Sequence, residues 1–297
     1  GTLLELTTPI LLEGKAGYSC SDTINQPSFD QVIEHFQKEK LVTFISTTFR
    51  KHEELSTALA RISKEAVQAV VSGKSLLVLD DGNAHQEDFY WIDPHLVTSA
   101  IDQALVKAEL RRDCSIVVRS AAIRSLHDMI TVFGLGADLI SPYYMFMTVL
   151  DESNQPLINL YSALSKGLEK VISTIGIHEL RGYGRLFSSI GLHEEVAKVL
   201  NIVNFFGSAD IENNYEAMKN DAFQRAQDYH HEKERVGKTF HLFPRIWKAI
   251  GEVAATGDYS AYRDKISEQE EQNPTTIRHL VRLKKSNHAI CPTNVDI

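Results

Sequence analysis

Arg181 and Arg185 flank two glycines in RGYGR (181–185), setting two guanidinium groups beside backbone that a ligand can approach closely. With Gly182 and Gly184 making room and a helix beginning beside them, these are the ingredients for gripping a phosphate or a carboxylate. The same turn can instead tie a loop or a neighbouring domain together, and both readings stay open here. Asp80 and Asp81 end the run SLLVLDD, where paired carboxylates suit a metal or a hydroxyl, or else an Asp-Gly turn leaving a strand. Arg119 with Ser120, and Ser141 with Tyr143, follow two further apolar runs. Thr48, Arg50 and Glu179 stand in comparable places.

Complete catalytic signatures are missing. FGLGADLISPYY (133–144) has Gly134 and Gly136, but the third glycine of a dinucleotide fingerprint is replaced by Leu139. Its polarity is also reversed. A phosphate loop leaves a strand and opens a helix, whereas here a helical pattern (Ile123, Leu126, Ile130, Phe133) precedes a short strand-like run. Gly134 is expected as a left-handed helix C-cap and Gly136 as part of the turn into the strand. SGKS (72–75) resembles the tail of a P-loop, but Gln68 occupies the first glycine position, so a helix end before a strand is expected. His230 and His231 with Glu234 lack HExxH spacing and read as a solvated face. His127 beside Asp128 reads as a helix-surface or interface histidine. Neither a GxSxG elbow nor a cysteine with a histidine partner is present.

The elements that must position these groups alternate through the first half. LVTFISTTF (41–49), SLLVLDD (75–81), CSIVVRS (114–120) and ADLIS (137–141) predict four strands, separated by helical patterns over 52–73, 95–110 and 123–133. Strands apolar on both faces imply a parallel sheet covered on both sides, wound right-handedly. Ligands in such folds sit beyond the carboxyl ends of the strands, which is why the residues above were singled out by position. From residue 151 onward the pattern is mainly helical. The expectation is one domain, 1–297, with a βα half (1–150) and a helical half (151–297). Its fold class is α/β, an incomplete (β/α) barrel or open parallel sheet wrapped by a helical C-terminal third.

A hydrophobic fraction of 43% with 24% charged residues is that of a soluble globular protein. The net charge of -8 argues against nucleic acid or an anionic membrane as main partner. The one notable basic run, RHLVRLKK (278–285), is explained by a solvated helix end. Cys20, Cys114 and Cys291 lie far apart, so no metal or iron–sulfur motif forms and a reducing cytoplasm is the expected location. No apolar run reaches membrane-spanning length, and glycine as first residue is expected of a processed chain, a tag remnant or an excised domain.

Several segments, in order, resemble the central domain of the glutamate synthase large chain. They are AVVSGKSLLVLDD, CSIVVRSAAIRSLHDMITVFGLGADLISPYYMF, LYSALSKGLEKVISTIGIHELRGYGRLFSSIGL and GDYSAYRDKISEQEEQNPTTIRHLVRLK. Gly134, Gly136, Ala137, Asp138, Pro142 and Tyr143 match the family's glycine-x-glycine-alanine-aspartate turn and the proline-tyrosine after it, with Ser141 in the asparagine place. His178 and Glu179 replace a serine-threonine pair, and FFGSADIEN replaces a longer glycine-rich segment. The resemblance implies a non-catalytic domain of an enzyme that transfers the amide nitrogen of glutamine to 2-oxoglutarate. It would join the glutaminase and FMN-binding domains and wall the ammonia passage between them. FMN and an iron–sulfur cluster would belong to a neighbouring domain, and this chain would hold no cofactor or metal. The alternatives are a stand-alone partial barrel binding FMN or another phosphorylated ligand around Arg181 to Arg185, or a regulatory or interaction protein.

Overall fold

The computed structural model describes residues 4–150, 153–207, 214–231 and 244–272. The basic run 278–285, Cys291, Glu234 and most of the FFGSADIEN segment lie outside these. The chain divides into two compact units, Gly1–Lys233 and Glu234–Ile297.

The first unit begins with α1 (Gly14–Ile24) and α2 (Phe29–Lys38). Ser28 starts α2 with a capping box: its hydroxyl accepts from the Gln31 N–H and the Gln31 side chain accepts from the Ser28 N–H. The helix buries Phe29, Val32, Ile33 and Phe36, a 3.6-residue stripe.

A βα alternation follows: β1 (Val42–Ser46), β2 (Thr48–Arg50), α3 (Leu55–Val71), β3 (Leu76–Asp80), β4 (Phe89–Trp91), α4 (Pro94–Lys107), β5 (Ser115–Arg119), α5 (Leu126–Gly134) and β6 (Leu139–Ser141). Strands β1, β3, β5 and β6 form one parallel sheet in that spatial order, so each strand lies beside the next one made. Ile10 adds a parallel bridge to Ile140 on the far side of β6. The strand period of two separates the faces. Leu77, Leu79, Ile116 and Val118 meet α3, α4 and α5 in the larger core, while Leu76, Val78 and Val117 meet α2 in a second core. The sheet is therefore covered on both sides, as the apolar strands require. This is the open, partial-barrel arrangement expected from the sequence.

Two local features differ from expectation. The run 41–49 is not one strand: it breaks at Thr47, whose N–H donates to Asp80 while its carbonyl accepts from Ile92. Beyond the break, β2 pairs antiparallel with β4. Gly134 does not take a positive φ; Gly136 does, at 123°, and Leu135 is the cap. Gly134 is needed for space instead. A Cβ there would lie 2.6 Å from Phe187 Cζ and 2.9 Å from the Gly184 nitrogen.

After β6 come α6 (Tyr143–Met147), α7 (Gln155–Ile175), a 3₁₀ turn over Leu180–Leu186, β7 (Ser188–Ser189), α8 (Glu194–Leu200), β8 (Val203–Asn204) and α9 (Tyr215–His230). Helix α8 is fastened to α4, because Ser99 and Gln103 both donate to the Val199 carbonyl. Helix α9 is anchored over β2 and β4 by Phe223, whose ring lies 4.4 Å from that of Tyr90 and 5.9 Å from that of Phe49. In the second unit, α10 (Pro244–Thr256) packs against α11 (Ser260–Gln272), with Gly257 at φ 72° in the turn between them.

Candidate functional site

Parallel pairing in register aligns Ser46, Asp80, Arg119 and Ser141 in one row at the carboxyl ends of the strands. Arg119 is the hub of this row. Its Nε and Nη2 donate to the two oxygens of Glu13, each at 2.9 Å, and its Nη1 donates to Asp80 at 2.7 Å. The guanidinium also lies 4.1 Å over the Tyr143 ring. Burial opposes its charge, but Glu13 and Asp80 outweigh that and hold its pKa above the ordinary value. Ser141 donates to Glu13 at 3.0 Å, and Asp80 also accepts from the Gly82 N–H. Glu13 comes from the residue before α1, so the N-terminal segment closes over the strand ends.

Asp81 lies one step deeper, 3% exposed. Its carboxylate accepts from Ser120 Oγ at 2.6 Å, from Tyr143 OH at 2.8 Å and from the Ala121 N–H. Burial pushes its pKa up, and those bonds only partly offset the rise. Tyr143 is raised too, first by burial and then by the charge of Asp81. Since the phenol proton goes to Asp81, the Tyr143 oxygen accepts from His85 Nε2 at 2.9 Å. A hydrogen-bonded line thus runs from His85 through Tyr143 to a buried carboxyl.

Arg181 is elsewhere. It donates to Asp102 at 2.9 Å and lies 3.9 Å from Asp138, two carboxylates that Arg111 also binds, at 2.6 and 2.8 Å. Asp138 immediately precedes β6 and accepts from the Ile116 N–H near the start of β5, so this cluster sits at the amino ends of the strands, opposite Asp80 and Asp81. Gly182 is buried, Gly184 abuts Gly134, and Arg185 is exposed with no bonded partner among the described residues. Thr48 is buried beside Ser46, and Arg50 stacks 3.5 Å over Phe89. Glu179 stands at the start of the 3₁₀ turn without a side-chain capping bond, and the element just before it is α7.

Beside the Asp81 line a cleft of about 280 Å³ opens between α9 and the segments after β3 and β5. His95 in its wall was not singled out by sequence, although Asp-Pro-His is a recognisable helix start. The Asp93 carboxylate accepts from the His95 N–H and from its Nδ1 at 2.8 Å. Thr131 spends its hydroxyl proton on the His127 and Asp128 carbonyls, so it accepts from His95 Nε2 at 2.8 Å. Both ring nitrogens then donate, which is the imidazolium state. Burial works against the charge, but Asp93 and Asp128 outweigh it and raise the His95 pKa above 6.5. Burial likewise works against the Asp93 charge, and His95 with Arg124 outweighs it, so Asp93 is lowered.

The raised His95 contributes stability fully below about pH 6.5, the unfolded value, and its contribution is lost as pH rises through the folded value. The lowered Asp93 contributes above about pH 3.9 and is lost as pH falls through its folded value. His95→Gln is therefore expected to destabilise the protein more at about pH 6 than at about pH 9, read from urea unfolding at both. An equal loss at the two pH values would refute the charged pair.

Among the described residues no group of three or more histidines, cysteines, aspartates or glutamates is placed to hold a metal, and no helix is long and apolar enough to cross a membrane.

A family model described as the glutamate synthase central domain matches residues 2–193. The glutamate synthase [NADPH] large chain of Bacillus subtilis is 32% identical over 155 residues, covering 48% of this chain and 10% of its own length. A ferredoxin-dependent glutamate synthase of Pyropia yezoensis is 24% identical over 93% of this chain and 20% of its own. The ferredoxin-dependent glutamate synthase 2 of Synechocystis is 30% identical over 63% of this chain and 14% of its own. The chain thus spans between a tenth and a fifth of the length of these relatives. A flavocytochrome b2 structure overlaps 52% of this chain and 37% of its own at 18% identity with a TM-score of 0.39, too low to carry an inference.

Proposed function

The chain belongs to the glutamate synthase central-domain family, and from that membership we propose that it is the connecting domain of a cytoplasmic glutamate synthase. The whole enzyme would move the amide nitrogen of glutamine onto 2-oxoglutarate to give glutamate. This domain would join a glutaminase domain to an FMN-binding domain and wall the ammonia passage between them, with no reacting group of its own. FMN and an iron–sulfur cluster would lie in the neighbouring domain.

One observation carries the non-catalytic part. The polar groups where a (β/α) enzyme places its chemistry are bound to one another: Arg119 to Glu13 and Asp80, Ser141 to Glu13, and Asp81 to Ser120 and Tyr143. A base or nucleophile needs an open lone pair facing substrate, and these have been given internal partners. Arg181 supports the same view, since two carboxylates already hold the guanidinium that a flavin phosphate would require.

Testing this needs the purified chain alone and joined to its neighbours. Alone it is expected to be colourless and to form no glutamate from glutamine and 2-oxoglutarate. Mixed with separately produced glutaminase and FMN-binding domains, it is expected to bind both. A flavin absorbance band or glutamate formation by the isolated chain would sink the proposal, as would failure to bind either domain.

A further inference from the structure

The cleft beside His85 holds the cations that the strand-end row does not consume. Arg124 lines it, is exposed, and has no hydrogen bond or ion pair to its guanidinium among the described residues. Its backbone N–H, by contrast, is held by Asp128 at 2.9 Å, so the residue is fixed at its base. Arg225 reaches in from α9. Its Nε is bound to Asp221 at 2.6 Å and its guanidinium lies 5.3 Å over the Trp91 ring, while no described group takes its terminal nitrogens. Trp91 itself carries an indole N–H that is buried and has no acceptor. Tyr229, 5.2 Å from the His85 ring, adds an aromatic wall.

We propose that this cleft binds a small organic monocarboxylate with a planar apolar body, its carboxylate held by Arg124 and Arg225 and its body set against Trp91 and Tyr229. Guanidinium groups match a planar carboxylate through paired N–H donors. A doubly charged phosphate fits less well, because Asp81, Asp93 and Asp128 face the same space. The volume lies just below the usual range of ligand pockets, about 300 to 1,000 Å³, so only a small ligand fits. Arg225 and Tyr229 belong to α9, so occupancy clamps that helix onto the strand ends. This site is independent of the connecting role proposed above.

The test uses the full chain with benzoate as probe, measured by calorimetry and by hydrogen exchange of α9. Benzoate is expected to bind saturably, with a Kd on the order of 1 mM, and to slow exchange in α9. Arg124→Ala is expected to weaken binding at least about tenfold, a loss of about 1.4 kcal/mol, with only a small fall in the unfolding midpoint, since the side chain loses no hydrogen bond or ion pair and only its through-space attraction to Asp93. Arg225→Ala is expected to do the same to affinity. The proposal is overturned by an absence of saturable binding, by equal affinity in the Arg124→Ala chain, by equal binding of the neutral benzamide, or by inorganic phosphate displacing benzoate.

Discussion

Gly184→Ala is expected to lower stability by about 3 kcal/mol, the upper end of overpacking costs, because the added carbon has nowhere to go. A Cβ there would lie 2.1 Å from the Gly134 carbonyl oxygen and 3.0 Å from its carbon. Both are backbone, at the end of α5, so neither can swing aside as a side-chain tip would. For a unit of this size the midpoint should fall by roughly 10 °C in a thermal scan. Gly182→Ala is the control. Its nearest contact is 3.6 Å from Ile177 Cβ, an ordinary van der Waals distance, and it should stay within about 1 kcal/mol of the parent. If both variants melt like the parent, the close approach of the 3₁₀ turn to α5 is wrong.

Arg119→Met is the second large effect. It strips both oxygens of Glu13 and one of Asp80 of their charged donor at once. Breaking a buried pair costs about 3–5 kcal/mol, and the groups here, 20–27% exposed, place the loss near 3 kcal/mol. Arg119→Lys keeps the charge but not the fork that spans Glu13, so about half the loss should return. The loss should also be local. Limited proteolysis ahead of α1 is expected to accelerate in Arg119→Met, since Glu13 ties that segment to Arg119 of β5 and Ser141 of β6 in addition to the backbone bridge between Ile10 and Ile140. Equal cleavage in parent and variant would argue that the segment is held by Ile10 and its neighbours alone.

Much of this frame was legible because it rests on local chemistry. Runs such as SLLVLDD and CSIVVRS are apolar on both faces, which only a covered parallel sheet explains, and their last residues fall in one row because register follows the strands. That is why Asp80, Asp81, Arg119, Ser120, Ser141 and Tyr143 were brought together by position alone. Glu13 was not, since its partners lie 106 and 128 residues away and nothing in LLEGK marks it as their counterion. Glu179, grouped with the strand-end residues, follows α7 instead of a strand, and Arg181 beside it reaches Asp102 and Asp138 at the amino ends of the strands. The glycines of GLGAD do join a helix to a strand, as the pattern predicts, yet the demand on Gly134 is steric and comes from a distant turn. His85 and the Asp93–His95 pair stood in loop and helix-start positions where the pattern alone could not separate function from turn chemistry.

The coincidence of spatial and chain order in the main sheet bears on how the molecule is made. A ribosome releasing this chain delivers β1, β3, β5 and β6 in the order in which they dock, so each new strand finds its neighbour already waiting. The first residues emerge earliest yet are seated last, since Ile10 needs Ile140 and Glu13 needs Arg119 and Ser141. Chains that end before β6 should therefore carry β1, β3 and β5 already paired, with Ile10 still lacking its bridge to Ile140.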